Sequence, residues 1–318
     1  MKLRLLLVSG ASCALAALLS GACTPQSEES GTNTNWLRTC QEDAECGEQG
    51  SCLCGRCTRG CEANSACMNG NVCTEAVASL VQCKGESLRT CQPPCTNHDQ
   101  CESGRRCLDG SCVDPLSSAC PSAALYCEDF EQESTAATRV VTSGNELERE
   151  PVVTPSGGYA LRAHVTAGPS VAYLRSPLTP IQTSGTVYLS GWVRVPGEAA
   201  YNVAPLALWS ANEEDWALRL TLQDARLDIW SKTAPLTSSI QLERDRWYCL
   251  GAAVTIADAP NGRVTLSVNG EEVAGANDVD TLPSGGIQAV TVGTLWSNSP
   301  AQVVVDRVIV SNQPISCY

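Results

Sequence analysis

The C-terminal 199 residues contain one histidine and no nucleophile motif. His164 alternates with apolar neighbours and shares its side of the chain with Arg162, which is typical of an exposed strand histidine rather than of a general base. The sequence has no Gly-x-Ser-x-Gly motif and no glycine loop that could hold a phosphate or a dinucleotide. We therefore expect no catalytic residues and predict that the protein is not an enzyme.

Two tryptophans have the neighbours that recognition of a sugar ring requires. Trp230 lies on the same side of its segment as Arg226 and Asp228, and Trp209 lies opposite its leucine neighbours. An aromatic plane can stack on the C–H face of a sugar while charged side chains pair with its hydroxyl groups. The alternative is that both rings are buried under loops or against a second sheet. These four residues are the predicted ligand-binding residues.

Fourteen of the 20 cysteines lie between Cys40 and Cys112, and their spacing repeats. The pattern Cys-x5-Cys-x5-Cys starts at Cys40, Cys61 and Cys95, and the fourth cysteine of the middle unit is expected at Cys83. Units of about 20 residues are too small for an apolar core, so disulfide bonds must replace it. The alternative, a zinc ribbon, needs a second Cys-x2-Cys pair, which the region lacks. The spacing leaves the pairing of these cysteines open.

The N-terminal segment has the features of an export signal. Two basic residues precede an apolar run over residues 5–19, which suits a signal core and is short for a membrane span. Residues 19–23 then resemble the processing box of bacterial lipoproteins, in which the cysteine becomes lipidated. We predict lipidation of Cys23, because removal of Cys13 with the signal then leaves an even number of cysteines to pair. Cleavage after Ala22 without lipidation is the alternative.

The formal net charge of −13 argues against nucleic-acid binding, because phosphates would repel so acidic a chain. No segment beyond the signal is apolar for long enough to span a membrane, so we expect the lipid to provide the membrane contact. The composition changes several times along the chain. The predicted divisions are a signal peptide (1–22), a flexible tether (23–39), a cysteine-rich repeat region (40–113), a linker (114–119) and a β-sandwich (120–318).

The elements that must position the candidate residues are β-strands. From residue 120 onwards apolar and polar residues alternate with period two, as in Val264, Leu266 and Val268, and turns interrupt the pattern regularly. Asn269-Gly270 is a strong signal for a tight hairpin. No helical period of useful length is present. About a dozen short strands separated by turns predict an antiparallel sandwich or barrel.

Four segments carry a family resemblance. The first is an acidic opening strand (127–131), and the second is a strand that ends in a tryptophan (186–193). The third is a tryptophan (246–249) followed by a strand and a hairpin (264–270), and the fourth is a valine-rich closing strand (303–310). Their order resembles the concanavalin A-like lectin/glucanase superfamily, particularly its laminin G-like branch. The resemblance implies a jelly-roll β-sandwich whose first and last strands pair. The cysteine-rich region resembles EGF-like or Dickkopf-like modules of bacterial surface lipoproteins, which implies spacers or protein-contact surfaces.

The resemblance also bears on catalysis and on the remaining cysteines. Laminarinase-like members use a Glu-x-Asp-x-x-Glu strand, which this sequence lacks; the nearest cluster, residues 128–133, has different spacing. Pairing of the terminal strands implies that Cys317 lies near Cys120 or Cys127, and that the other of these two joins Cys249.

Calcium is the cofactor that the resemblance suggests. Members of the superfamily often hold Ca²⁺ near the paired terminal strands, which implies oxygen ligands from Asp306 with Asp129 or Glu131. By alternation Asp306 is expected on the same side of its strand as Val304, Val308 and Val310, and a carboxylate on an apolar side needs a partner. The alternative partners are an arginine or backbone amides.

These features together predict a mainly β protein, an antiparallel jelly-roll β-sandwich preceded by small disulfide-rich modules. The predicted function is that of a surface-anchored, non-catalytic lipoprotein whose lectin-like sandwich binds a glycan or another ligand of the cell envelope. One alternative is a structural or protein-interaction lipoprotein that binds no sugar, and another is a glycan-cleaving enzyme. The expected location is the bacterial cell envelope, at the outer membrane or the cell surface.

Overall fold

The structure is a computed structural model, and the residues that it describes belong to one unit that spans Asn35–Tyr318. Within the described part, no helix is long and apolar enough to cross a membrane. The predicted signal segment, the lipidation site Cys23, the tether and the linker lie outside the described residues. The described residues are 40–47, 50–53, 56–67, 70–75, 89–96, 98–101, 106–108, 110–113, 120–132, 137–152, 154–166, 168–197, 202–210, 216–223, 226–230, 235–258, 260–297, 299–315 and 317.

Each unit of the cysteine repeat consists of a short 3-10 helix followed by a two-stranded hairpin. A single hairpin cannot bury enough apolar surface to be stable alone. The helix and strand bounds are Asp43–Cys46, β1 (Ser51–Leu53) and β2 (Arg56–Thr58) in the first unit; Asn64–Ala66, β3 (Val72–Glu75) and β4 (Arg89–Gln92) in the second; and His98–Gln100, β5 (Arg106–Leu108) and β6 (Ser111–Val113) in the third.

Disulfide bonds supply the missing stability, which confirms the predicted scaffold. In every unit the first cysteine of the Cys-x5-Cys-x5-Cys pattern pairs with the third. The second pairs with a fourth cysteine, which lies on the second strand of the hairpin. The bonds are Cys40–Cys52, Cys46–Cys57, Cys61–Cys73, Cys67–Cys91, Cys95–Cys107 and Cys101–Cys112. The third and fourth cysteines lie opposite each other across each hairpin. The expectation of Cys83 as the fourth cysteine of the middle unit is wrong, because Cys91 faces Cys73 across a hairpin with a longer connection.

A polar side chain three positions after the first cysteine fixes the fold of the first two units. Asp43 accepts a hydrogen bond from the backbone amide of Cys52 at 2.6 Å. Asn64 accepts the equivalent bond from the amide of Cys73 at 2.7 Å. Each bond ties the short helix to the first strand of the hairpin, so the repeat extends beyond its cysteines.

The remaining strands form a sandwich of two antiparallel sheets, which confirms the predicted fold class. One sheet has eight strands in the order β19-β18-β17-β12-β21-β10-β9, with β7 also paired to β21, and the other has seven in the order β16-β15-β14-β13-β20-β11-β8. The bounds are β7 (Ala124–Glu128), β8 (Thr138–Val141), β9 (Glu146–Pro151), β10 (Tyr159–Val165), β11 (Ser170–Gln182), β12 (Gly185–Arg194), β13 (Asn202–Trp209), β14 (Trp216–Gln223), β15 (Arg226–Trp230), β16 (Pro235–Gln241), β17 (Tyr248–Ile256), β18 (Gly262–Val268), β19 (Glu271–Val279), β20 (Ile287–Ser297) and β21 (Ala301–Ser311).

The apolar residues of the alternating pattern form the core between the sheets. In β18, Val264, Leu266 and Val268 are buried in the main apolar cluster, whereas the residues between them are more exposed. The hairpin to β19 turns at Asn269 and Gly270, whose φ angles of 52° and 85° are those that a two-residue turn with left-handed backbone requires. The predicted hairpin is therefore present.

The closing strand β21 has a bulge at its centre. Asp306 lies opposite Trp192 on β12, and Ile309 lies opposite Ser190, so β21 has one more residue than its partner over this stretch. Arg307 takes up the extra length with a φ of 42°, which is uncommon for a residue with a side chain. On its other edge β21 pairs with β10 before the bulge and with β7 after it.

The bulge reverses which residues of β21 face the core. The prediction that Asp306 shares a side with Val308 and Val310 is therefore wrong, because the extra residue shifts the alternation by one. The prediction is right for Val304, which lies with Asp306 on the side of the smaller cluster that contains Trp192. The residues of β21 in the main core are Ala301, Val303, Val305, Val308 and Val310.

The terminal strands pair as the resemblance implied, but the disulfide bonds differ from the expected ones. Cys120 pairs with Cys127, only seven residues away. Cys317 pairs with Cys249 on β17. The expectation that Cys317 joins the opening segment is wrong, because the chain after β21 crosses to the outer side of the eight-stranded sheet, where Cys249 and Cys317 pack with Trp247.

Candidate ligand-binding face

Two arginines and two small side chains lie in one row across the seven-stranded sheet. Arg175 on β11 is opposite Thr291 on β20, Thr291 is opposite Ala207 on β13, and Ala207 is opposite Arg219 on β14. Because strand neighbours alternate, the leucines beside these residues point into the core, and the row lies on the outward side of the sheet. We call this outward side the arginine face.

Trp209 lies beside this row and is positioned by a hydrogen bond. Its indole Nε1 donates to the hydroxyl oxygen of Thr291 at 2.7 Å. The guanidinium carbon of Arg175 is 6.0 Å from the centre of the ring. Trp209 is partly exposed and packs with Ala204, Ala207, Leu295 and Tyr173 in an apolar cluster separate from the core. The ring therefore lies opposite its leucine neighbours, as the alternation predicted, and the hydrogen bond fixes its orientation within the arginine face.

Arg219 lies on the opposite side of the row from Arg175. Its guanidinium carbon is 5.7 Å from the centre of the Trp296 ring, which is within the range of a cation–π contact. Burial lowers the pKa of Arg219, although a guanidinium of this kind stays protonated at any physiological pH. The small side chain of Ala207 is the register partner of Arg219 and is fully buried.

A second row lies one step along the strands. Tyr173 is opposite Gly293 on β20, and Thr221 on β14 is opposite Asp228 on β15. Gly293 has a φ of 123°, and a Cβ there would lie 2.5 Å from a backbone oxygen. The side chains of Thr221 and Asp228 are buried although both are polar. Among the described residues, the Thr221 hydroxyl has no hydrogen-bond partner.

The predicted ligand-binding residues therefore belong to one sheet. Asp228 is opposite Thr221, and Trp230 and Arg226 occupy the register positions opposite Arg219 and Gln223. The side chains of Trp230 and Arg226 lie outside the described part. Sequence reasoning missed Tyr173, Arg175 and Arg219. A signal for Arg219 was present, since it alternates with two leucines in a predicted strand.

The carboxylate of Asp306, one of the predicted Ca²⁺ ligands, is fully buried and held by the protein. Ser156 donates to its Oδ2 from the hydroxyl at 2.5 Å and from the amide at 3.3 Å. The amide of Arg307 donates to its Oδ1 at 2.7 Å. Burial raises the pKa of Asp306 to about 6, and the hydrogen bonds from Ser156 and Thr154 limit the rise.

The other two predicted ligands accept hydrogen bonds elsewhere. Glu131 accepts from the amides of Gly158 and Tyr159 at 2.7 and 3.1 Å, and Asp129 accepts from the amide of Glu131 at 3.1 Å. In the described part of the chain, three ligand atoms of His, Cys, Asp or Glu lie within 4.8 Å of one another only in groups of disulfide-bonded cysteines. Backbone amides and the Ser156 hydroxyl are the contacts that the structure shows for these carboxylates. Binding of Ca²⁺ by Asp306 with Asp129 or Glu131 stays a prediction.

His164 lies on β10, near the edge strand β9, in the eight-stranded sheet. Its Nδ1 is 3.7 Å from Glu146, and its side chain is 33% exposed. The adjacent Arg162 forms ion pairs with Glu146, Glu148 and Glu150 of β9. This charged group lies in the sheet opposite to the one that carries the arginine face.

Comparisons with known proteins find likeness in structure only. No family model and no curated protein matches the chain. Solved structures with similar folds include the cellulose induced protein Cip1 (16% identity, TM-score 0.46, covering 61% of this chain and 100% of that one). Others are the globular domain of T. cruzi calreticulin (11%, 0.46, 60% and 88%) and an endo-β-1,4-glucuronan lyase from the fungus Trichoderma reesei (12%, 0.42, 60% and 96%). At these identities and scores the likenesses assign no function.

Proposed function

We propose that the protein is an exported, lipid-anchored and non-catalytic lipoprotein that binds a glycan on the arginine face of its sandwich. The observation that carries the proposal is the setting of Trp209. A partly exposed ring, held in one orientation by Thr291 and flanked by Arg175, combines a stacking surface with hydrogen-bond donors that reach sugar hydroxyls. A pre-oriented ring loses little conformational entropy when a ligand binds.

The sheet that carries this face also contributes to the non-catalytic part of the proposal. Hydrolysis of a glycosidic bond commonly uses two carboxyl groups. Asp228 is the one acidic residue within the bounds of the seven strands. At least one of the two carboxyl groups of a hydrolase would therefore have to come from outside these strands.

A glycan-cleaving lyase is the second candidate, and one observation favours it. Such chemistry needs a proton acceptor beside cationic groups, and Tyr173 lies two residues from Arg175 on the same side of β11. Incubation of the full-length chain with acidic polysaccharides, followed by ultraviolet absorbance of the unsaturated ends that elimination creates, measures this activity directly. Product that is lost in Tyr173→Phe would replace the binding proposal with the enzymatic one.

The binding proposal is tested with the oxidised full-length chain on an array of polysaccharides. Trp209→Ala should weaken binding about tenfold or more, because the stacking surface is lost. Trp209→Phe keeps an aromatic ring but loses the hydrogen bond to Thr291, so we expect a smaller loss. Tyr188→Ala is the matched control, since Tyr188 is a partly exposed aromatic residue on β12 of the other sheet. Absence of binding to every glycan would favour the structural alternative, and equal binding by Trp209→Ala would refute the arginine face as the binding site.

Anchoring is tested separately from binding. The described disulfide bonds use 16 of the 20 cysteines, and the other four are Cys13, Cys23, Cys54 and Cys83. After removal of a signal that contains Cys13, a lipidated Cys23 leaves an even number. Cells that express the chain should incorporate a labelled fatty acid into it, and Cys23→Ala should abolish the label. Labelling that persists in the variant would contradict the proposed anchor.

A further inference from the structure

The two sheets of the sandwich differ in charge. The strands of the seven-stranded sheet contain four arginines (Arg139, Arg175, Arg219 and Arg226) and one acidic residue, Asp228, for a net charge of +3. The strands of the eight-stranded sheet contain five arginines and eight acidic residues, for a net charge of −3. The whole chain carries −13. Positive charge is therefore concentrated on the sheet that carries the arginine face.

The positions of the two central arginines are also informative. Arg175 and Arg219 lie in one row and are separated by two strands, so their backbones are about 14 Å apart at the usual spacing of strands. The residues between them, Thr291 and Ala207, have short and buried side chains. The Trp209 ring lies against this centre, since its indole binds Thr291 and it packs with the cluster that contains Ala207. The row thus has a guanidinium group at either end, and each group is next to an aromatic ring.

This arrangement has a chemical consequence for the ligand. A guanidinium group forms two parallel hydrogen bonds with a carboxylate or a sulfate, and these charge-assisted bonds are stronger than bonds to neutral hydroxyls. Two such groups in one row suit a chain that presents acidic groups repeatedly. The aromatic rings beside them offer stacking surfaces for the sugar rings of the same chain.

We infer that the ligand of the arginine face is an acidic glycan, a polymer of sugar rings that carry carboxylate or sulfate groups, with Arg175 and Arg219 binding successive acidic groups. This inference rests on the proposed glycan-binding function and names the class of glycan. Attraction by the overall charge cannot produce such binding, because the chain as a whole repels anions.

The experiment compares each acidic polymer with its neutral counterpart, using the oxidised full-length chain. Polygalacturonate is measured against carboxyl-reduced polygalacturonate, and dextran sulfate against dextran. We expect at least one acidic member to bind about tenfold or more tightly than its neutral counterpart, in line with the strength of hydrogen bonds to charged groups. The pair that shows this difference identifies carboxylate or sulfate as the recognised group. The affinity should also fall as salt is added.

Variants assign the effect to the two arginines. Arg175→Gln and Arg219→Gln should each weaken binding of the acidic polymer about tenfold and weaken binding of the neutral counterpart by a clearly smaller factor. Arg219→Lys keeps the charge without the planar fork, so an intermediate loss is expected. Arg263→Gln is the matched control, because Arg263 is an exposed arginine on β18 of the opposite sheet. Thermal unfolding of each variant checks that it is folded.

The outcomes distinguish this inference from the function on which it rests. Equal binding of acidic and neutral members, still lost in Trp209→Ala, would overturn the acidic ligand and leave the glycan-binding proposal standing. Binding of neither member of either pair would overturn the acidic ligand, and absence of binding to every glycan on the array would overturn both. Because the comparison of polymers and the salt dependence use the unmodified protein, the inference stays open to refutation even if a variant fails to fold.

Discussion

Replacement of Asp306 by asparagine should change how the stability of the protein depends on pH. The wild-type carboxyl group is fully buried beside the bulge of β21, where it accepts hydrogen bonds from Ser156 and from the amide of Arg307. Burial raises its pKa from an ordinary 3.8 to about 6. The folded state therefore holds this proton more tightly than the unfolded state does. The stability that the bound proton provides is present below pH 3.8 and is lost as the pH rises through about 6.

The magnitude follows from the pKa difference. The pKa of Asp306 is higher by about two in the folded state, and each whole step of pKa corresponds to about 1.4 kcal/mol. The free energy of unfolding should therefore fall by about 3 kcal/mol between pH 4 and pH 7. An asparagine at position 306 cannot ionise and should lack this loss. Its amide group must face one of the donors that now bind the carboxylate, so the variant also carries a cost that does not depend on pH.

The assay is urea unfolding of wild type and Asp306→Asn at several values between pH 4 and pH 7, with the disulfide bonds intact. The difference in free energy of unfolding between the two proteins should shift in favour of the variant by about 3 kcal/mol across this range. Asp258→Asn, which changes an exposed aspartate, is the control, and surface substitutions of this kind usually stay within about 0.5 kcal/mol. A difference for Asp306→Asn that does not change with pH would refute the argument from burial.

Three further substitutions test the backbone, the tail and the modules. Gly293→Ala should lower the free energy of unfolding by about 2 kcal/mol or more in a urea titration. The reasons are that its Cβ would clash with a backbone oxygen and that a φ of 123° disfavours a side chain. Gly158→Ala is the control, because a Cβ there would meet open space, and its effect in the same titration should be much smaller. Cys317→Ala removes the Cys249–Cys317 disulfide and should lower the free energy of unfolding by about 2–5 kcal/mol, measured by thermal unfolding. An unchanged midpoint temperature would show that this bond does not hold the segment after β21. Asp43→Ala should lower the free energy of unfolding by about 1 kcal/mol and increase hydrogen exchange at the backbone amide of Cys52, which Asp43 binds. Protection of this amide equal to that in wild type would count against the role of the hydrogen bond.

Local patterns were sufficient to predict the strands and the fold class. Period-two alternation identified the strand that contains Val264, Leu266 and Val268, and β18 spans Gly262–Val268. The hairpin at Asn269-Gly270 was predictable because its backbone requirement is met by the two residues themselves. Such features depend only on neighbours along the chain, which the sequence displays directly.

Features that depend on distant partners could not be predicted. Alternation placed Trp209 opposite its leucine neighbours, but its contacts with Thr291 and Arg175 follow from the pairing of β11, β20 and β13, which lie far apart in the sequence. The bulge at Arg307 gave no local signal, since an arginine with positive φ is unusual, and it moved Asp306 to the other side of its strand. The disulfide partners of Cys120 and Cys317 depend in the same way on the path of the chain.

The disulfide pattern of the cysteine-rich units determines how far they can be stretched. Eighteen residues from Cys40 to Cys57 would reach about 60 Å if fully extended. The Cys40–Cys52 bond holds its two Cα atoms 5.8 Å apart. The shortest covalent path from Cys40 to Cys57 crosses this bond and then follows the five residues after Cys52, so it reaches only about 23 Å. The third unit has the same loop lengths, with bonds that span 12 and 11 residues. A pulling force applied along the chain would therefore meet covalent bonds after little extension, so these units behave as links of nearly constant length under mechanical load.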